Sequence, residues 1–148
     1  MKIYLAGPLF TIGERKFNSD LSAAIRALDP DAEIVLPQEY ASRIIHEPAF
    51  CSIMYTHAIR SIEECDVIVA VADGADADSG TCVEIGYAKA KGKSIVGVRT
   101  DLRPSEDDGL NLMVSRSCDR LIRCTNQSTD IDSLAYEIVH ALKKLAII

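Results

Sequence analysis

The stretch from Asp73 to Ala88 holds the residues best suited to chemistry. Asp73, Asp76 and Asp78 crowd one short segment, and Glu84 follows Gly80 by about one helical turn. Several carboxylates brought together repel one another. The arrangement is useful when one stays protonated as an acid while another, ionised, attacks. Cleavage of a glycosidic bond uses that division of labour, so the segment reads as the working part of an enzyme.

Other chemistries fit less well. Glu84 stands twelfth from Asp73, as an EF-hand loop requires, but the third and fifth positions are Ala75 and Ala77 and the sixth is Asp78 instead of Gly. Gly7-Pro8 belongs to neither a dinucleotide fingerprint nor a P-loop. His46, His57 and His140 share no spacing, and nothing near Cys82 would activate its thiol. Neither a metal nor an organic cofactor is expected.

The acidic segment begins where the apolar run Val67–Ala72 ends, so it reads as a strand end, a loop and a helix start. Open α/β sheets place their ligands at such strand ends. In all, strands are expected at Ile3–Ala6, Glu33–Leu36, Asp66–Ala72, Ser94–Val98 and Arg120–Arg123, short and β-branched as in strands buried on both faces. Phe17, Leu21, Ala24, Ile25 and Leu28 recur at helical spacing, as do Leu134, Ile138, Ala141, Leu142 and Leu145. A third helix is expected over about Ser52 to Glu64, and a short one around Gly109 to Arg116. Pro37–Phe50 and Thr100–Gly109 read as the long loops. The pattern is that of one α/β domain over 1–148, a doubly wound five-stranded parallel sheet flanked by helices, flavodoxin-like or Rossmann-like.

Composition narrows the partners. A net charge of −6 disfavours a nucleic-acid polymer. The apolar runs are too short to cross a membrane, and the N-terminus enters a strand without a signal-peptide pattern. The five cysteines, odd in number and lacking CxxC spacing, suggest reduced thiols in the cytoplasm.

At Glu84 the surroundings favour a functional reading. Gly80, Thr81 and Gly86 keep the helix start slim enough for a ligand to approach the backbone, and the helix dipole favours the ionised carboxylate. Asp78, near a second carboxylate, suits proton donation. Tyr4 lies in the first strand, pointing to one face.

The chain resembles the nucleoside 2-deoxyribosyltransferases and the related nucleoside-monophosphate N-glycosidases. The resemblance rests on Ile3-Tyr4-Leu5-Ala6-Gly7-Pro8-Leu9-Phe10, on Leu36-Pro37-Gln38-Glu39, on Ile62 to Val67, on Asp78 through Ala88 and on Asn111-Leu112-Met113. It implies that Glu84 attacks the anomeric carbon, that Asp78 exchanges a proton with the nucleobase, with Asp73 a second candidate, and that Tyr4 orients the nucleophile. Gly7, Pro8, Phe10 and Gly80 would line the substrate. Asn111 would be lent by a neighbouring subunit to the 5′ end of the sugar, which makes the protein a homo-oligomer, dimer or larger, with shared sites. The small-molecule partners implied are a nucleoside and a free nucleobase. The sequence departs from the family at Ala58, next to His57, where many members carry Asp or Asn that helps hold the sugar.

Three activities are compatible with these residues. The first is transfer of 2-deoxyribose between bases through a covalent glutamyl ester. The second is hydrolysis of a nucleoside 5′-monophosphate, which needs phosphate ligands. The loop after the first strand offers mostly apolar Leu9-Phe10-Thr11, with Arg15 and Lys16 only further on. The third is a nucleotide-binding module without turnover, for which the Tyr4, Asp78 and Glu84 set would have no purpose.

Overall fold

The computed structural model describes residues 1–107 and 109–145. Five strands, β1 (Lys2–Ala6), β2 (Glu33–Val35), β3 (Val67–Val71), β4 (Ser94–Arg99) and β5 (Arg120–Arg123), form one parallel sheet in the order β2-β1-β3-β4-β5. Parallel neighbours require crossovers, and among the described residues there are six helices: α1 (Ile12–Leu28), α2 (Pro37–Ile44), α3 (Phe50–Glu64), α4 (Ser79–Ala90), α5 (Leu112–Ser117) and α6 (Ile131–Leu145).

Strand alternation sorts the core into two layers. Ile3, Leu5, Val67, Val69, Val71, Val96 and Val98 face one side, against Leu21 and Ile25 of α1 and Leu134, Ile138 and Leu142 of α6. Tyr4, Ala6, Ile68, Ala70 and Ile95 face the other, against Ile62 of α3, Ile85 and Ala88 of α4 and Val114 of α5. Every residue of β3 is buried, which is why that strand is an unbroken apolar run. Each such aliphatic side chain contributes about 1.5–3 kcal/mol by leaving water.

The strand order reverses between β1 and β3, so a crevice opens at their carboxyl ends. The segments beginning Gly7-Pro8 and Ala72-Asp73 leave the sheet there.

The expected elements are present, with two corrections. Residues 37–44, read from sequence as loop, form α2. Pro37 sits in the first turn, where its missing N–H costs nothing and its fixed φ suits a helix. Glu39 and Arg43 complement the helix dipole, and Arg26 pairs with Glu39 at 3.2 Å. Leu36, expected at the end of β2, is instead the residue before α2.

Candidate active site

The site is built from one strand and one helix. Tyr4 is the third residue of β1, buried among the side chains under α3 and α4. Glu84 lies in the second turn of α4. The Tyr4 phenol donates to Glu84 Oε1 at 2.5 Å. Burial, followed by the neighbouring Glu84 carboxylate, holds the phenol protonated far above its ordinary range.

Glu84 itself is pushed up to about 7, chiefly by burial. The Tyr4 hydrogen bond opposes that rise and the negative charge of Asp78 adds to it. The expectation that the helix dipole favours the ionised form therefore meets a stronger effect. The dipole acts mainly within the first turn, and Glu84 lies beyond it.

Asp78 is the N-cap of α4. Its Oδ2 accepts from Thr81 N at 2.9 Å and from the Thr81 hydroxyl at 3.2 Å, so one carboxylate oxygen is committed to the fold. Gly80 serves that cap: a Cβ there would stand 3.0 Å from Asp78 Oδ2. The space Gly80 leaves is thus taken by the capping carboxylate. Gly86 faces open space instead.

Asp73 is turned to β4. Its Oδ1 accepts from Thr100 N at 2.6 Å and Asp101 N at 3.0 Å, and its Oδ2 accepts from the Thr100 hydroxyl. From β4, Nη1 of Arg99 reaches back to Ala72 O at 2.7 Å and Gly74 O at 2.8 Å. The two loops are tied reciprocally, and the geometry gives Asp73 a scaffolding role. Arg99 is only 1% exposed, and among the described residues its Nε and Nη2 have no hydrogen-bond partner, with Asp101 Oδ2 standing 4.0 Å from Nη2. Sequence reading passed over it, because an arginine ending a strand gives no sign that it folds inward.

Gly7 and Pro8 lie at the end of β1, beside β3. A Cβ on Gly7 would come 3.2 Å from Val71 Cβ and 3.4 Å from Asn18 Oδ1, so glycine is what lets this loop pass close to β3 and α1. Phe10, further along, is 73% exposed. Asn111 caps α5: its Oδ1 accepts from Met113 N at 2.9 Å and its Nδ2 donates to Glu106 Oε2 at 3.1 Å. It borders a cavity of about 460 Å³ between α4 and α5, also lined by Cys82, Ile85, Gly86 and Met113. Within one chain, Asn111 lies on the Gly86 side of α4.

Ala58 is half-buried against the layer that holds Tyr4. His57 does not take the place of the Asp or Asn expected at 58, since its ring stacks on Tyr40 with centroids 3.6 Å apart. Both rings line a cavity of about 610 Å³ that runs along α3 to Lys2 and Glu33. Those two residues sit at the amino ends of β1 and β2, the opposite end of the sheet from the crevice.

Among the described residues no group of three or more His, Cys, Asp or Glu side chains could hold a metal ion, and no helix is long and apolar enough to cross a membrane. The crevice offers carboxylate chemistry. One carboxylate is half-buried and held by a phenol on one oxygen, and a second stands beside it, at the ligand-binding end of a doubly wound sheet.

This is the equipment of an enzyme that works on a glycosidic bond. The sequence matches the nucleoside 2-deoxyribosyltransferase family over residues 3–113. The chain belongs to that family, and it is an enzyme of the deoxyribosyltransferase and N-glycosidase class. No curated protein matches it. Among solved structures, a conserved protein of Enterococcus faecalis V583 is 28% identical, with 95% of this chain and 98% of that one covered and a TM-score of 0.70. The 2-deoxyribosyltransferase of Bacillus psychrosaccharolyticus is 21% identical over 90% and 96%, with a TM-score of 0.72. The CMP N-glycosidase BcmB of Clostridium botulinum is 19% identical over 94% and 99%, with a TM-score of 0.60. These last two likenesses show a shared fold.

Proposed function

We propose that the enzyme transfers 2-deoxyribose between nucleobases through an ester on Glu84. The observation that carries this reading is the Tyr4–Glu84 pair. The phenol engages Oε1 and leaves Oε2 to attack the anomeric carbon, so the C1′–O bond forms as the C1′–N bond breaks. Asp78 gives a proton to the departing base. A second base then attacks the same carbon, releasing Glu84 and returning its proton to Asp78, with net retention. Attack by water would give hydrolysis instead.

An unphosphorylated nucleoside is the favoured substrate. Arg15, the arginine nearest the loop after β1 in sequence, directs Nη1 to Leu9 O at 3.1 Å and Phe10 O at 2.8 Å, and Lys16 pairs with Asp20 at 2.6 Å. Neither is held ready for a phosphate.

A second copy of the chain would close the site against water, which competes for the glycosyl ester. Helix α4 supports this, because its apolar residues are not confined to one face. Ile85 and Ala88 are buried while Val83 is 64% exposed, and Met113 nearby is 71% exposed. Asn111, beside Met113, is then placed to reach the 5′-hydroxyl held by the other subunit. The five cysteines, all free thiols, support a reducing, cytoplasmic setting.

The test is turnover of deoxyadenosine or deoxyinosine with and without a second free base, followed by chromatography, alongside a nucleoside 5′-monophosphate. New deoxynucleoside formed only with the acceptor supports transfer. Faster hydrolysis of the monophosphate, or no turnover of any substrate, overturns it.

A further inference from the structure

The loop 7–11 leaves β1 at the switch point, and side chains of α1 fold back to hold its backbone. Asn18 Nδ2 donates to Pro8 O at 2.8 Å. Arg15 holds the Leu9 and Phe10 carbonyls. Glu14 Oε2 accepts from Phe10 N at 2.9 Å and Thr11 N at 2.7 Å. Gln38 of α2 braces this set, with Oε1 3.4 Å from Asn18 Nδ2 and with Nε2 donating to Arg15 O at 2.9 Å and Ser19 Oγ at 2.8 Å.

Asn18 shares the buried stripe of α1 with Leu21, Ser22 and Ile25. A polar side chain there is costly unless bonded, and its bond is spent on the loop. Pro8, Leu9, Phe10 and Thr11 each have a backbone group held by a side chain, yet the large side chain this loop presents, Phe10, stands mostly in water. An exposed aromatic ring on a backbone fixed at successive residues is a preformed contact face, because the entropy of ordering it is lost on folding and not on binding.

We propose that Asn18 and Gln38 are positioning residues that act through Phe10, holding the loop so that its ring stands ready for the planar base of the substrate. This rests on the glycosyl-transfer reading above. Without either brace the loop samples other positions, and the fraction of enzyme competent to bind falls. Apparent affinity drops by that fraction while the chemistry of the bound complex is unchanged.

The test is steady-state kinetics of Asn18→Ala, Gln38→Ala, Phe10→Ala and the two double variants with Phe10→Ala, with thermal melting of each. The expected result is a KM raised about tenfold in Asn18→Ala and less in Gln38→Ala, with kcat within about twofold of wild type. Neither substitution should worsen KM further once Phe10 is Ala, because its route of action is gone. Additive effects, or a fall in kcat at unchanged KM, overturn the proposal. Should Asn18→Ala fail to fold, the half-buried Gln38→Ala carries the same cycle. Should wild type turn over no deoxynucleoside, the glycosyl-transfer reading fails separately. The cycle is then run on adenine binding by calorimetry, where additive losses overturn the positioning roles and non-additive losses support them.

Discussion

Tyr4 and Glu84, separated by 80 positions in sequence, are joined by a 2.5 Å hydrogen bond from the phenol to Oε1, which ties the middle of β1 to the second turn of α4. A bond this short to a carboxylate is of the charge-assisted kind, and it offsets part of the burial that raises Glu84 to about 7. Tyr4→Phe should therefore raise Glu84 further. The acid limb of kcat/KM, near pH 7 in wild type, should move to higher pH, with about a 10- to 100-fold lower rate at pH 7. A pH–rate profile of both proteins checks this, and an unmoved limb counts against Glu84 as the group that must ionise.

The same shift makes a stability prediction. Glu84 releases its proton near 4.5 in the unfolded chain and near 7 in the folded one. Below pH 4.5 both states hold the proton and the group leaves stability unaffected. Between 4.5 and 7 the unfolded state sheds it first, so stability falls as pH rises, and the penalty is complete above 7. Glu84→Gln removes the titration while Gln can still accept from Tyr4. It should melt higher than wild type at pH 8 and alike at pH 4, as scanning calorimetry can show. A variant less stable at pH 8 would contradict burial as the cause.

The two layers of the fold could be read from the sequence because apolar period and strand length determine a parallel sheet with little interference. The Tyr4–Glu84 pairing came from the family resemblance, since no local pattern brings positions 4 and 84 together. What stayed hidden depended on direction. Asp73 and Asp78 look equivalent in sequence, yet one turns to Thr100 and the other caps α4. Residues 37–44 look like loop because an eight-residue helix that buries only Pro37 and Ala41 is too short for its period to stand out. Asn18 did leave a trace, as a polar residue three before Leu21 on an apolar stripe, and that period could have found it.

Asp78 has two separable roles. Asn is as good an N-cap as Asp, so Asp78→Asn should melt close to wild type while losing proton donation. The loss should be greater for poorly leaving bases than for activated ones. Asp78→Ala should show the same kinetic pattern and lose about 1 kcal/mol of stability besides. Equal losses across both substrate types would move the acid elsewhere.

Asp73 should behave in the opposite way. Asp73→Ala strips acceptors from Thr100 N, Asp101 N and the Thr100 hydroxyl, which should cost about 2 kcal/mol by urea unfolding. Its dependence on leaving base should match that of wild type. A change in that dependence with unaltered stability would restore Asp73 as a proton donor.

The shared site is the most exposed part of the functional reading, because Asn111 already has work within its own chain. It caps α5 through Met113 N and meets Glu106 through Nδ2, so Asn111→Ala alone could lose activity merely by loosening that helix. Complementation separates the two roles. In a homo-oligomer with sites built across subunits, a chain with Glu84→Ala still lends its intact Asn111 to a neighbour, and a chain with Asn111→Ala still carries an intact Glu84. Mixing the two inactive variants under conditions that exchange subunits should restore activity, up to about a quarter of wild type for randomly paired dimers, where half the dimers are mixed and each rebuilds one of two sites. Sedimentation should give a mass above the 16.1 kDa of one chain. Hybrids that form but stay inactive would return Asn111 to a capping role, and a fully active monomer would remove the need for a second copy.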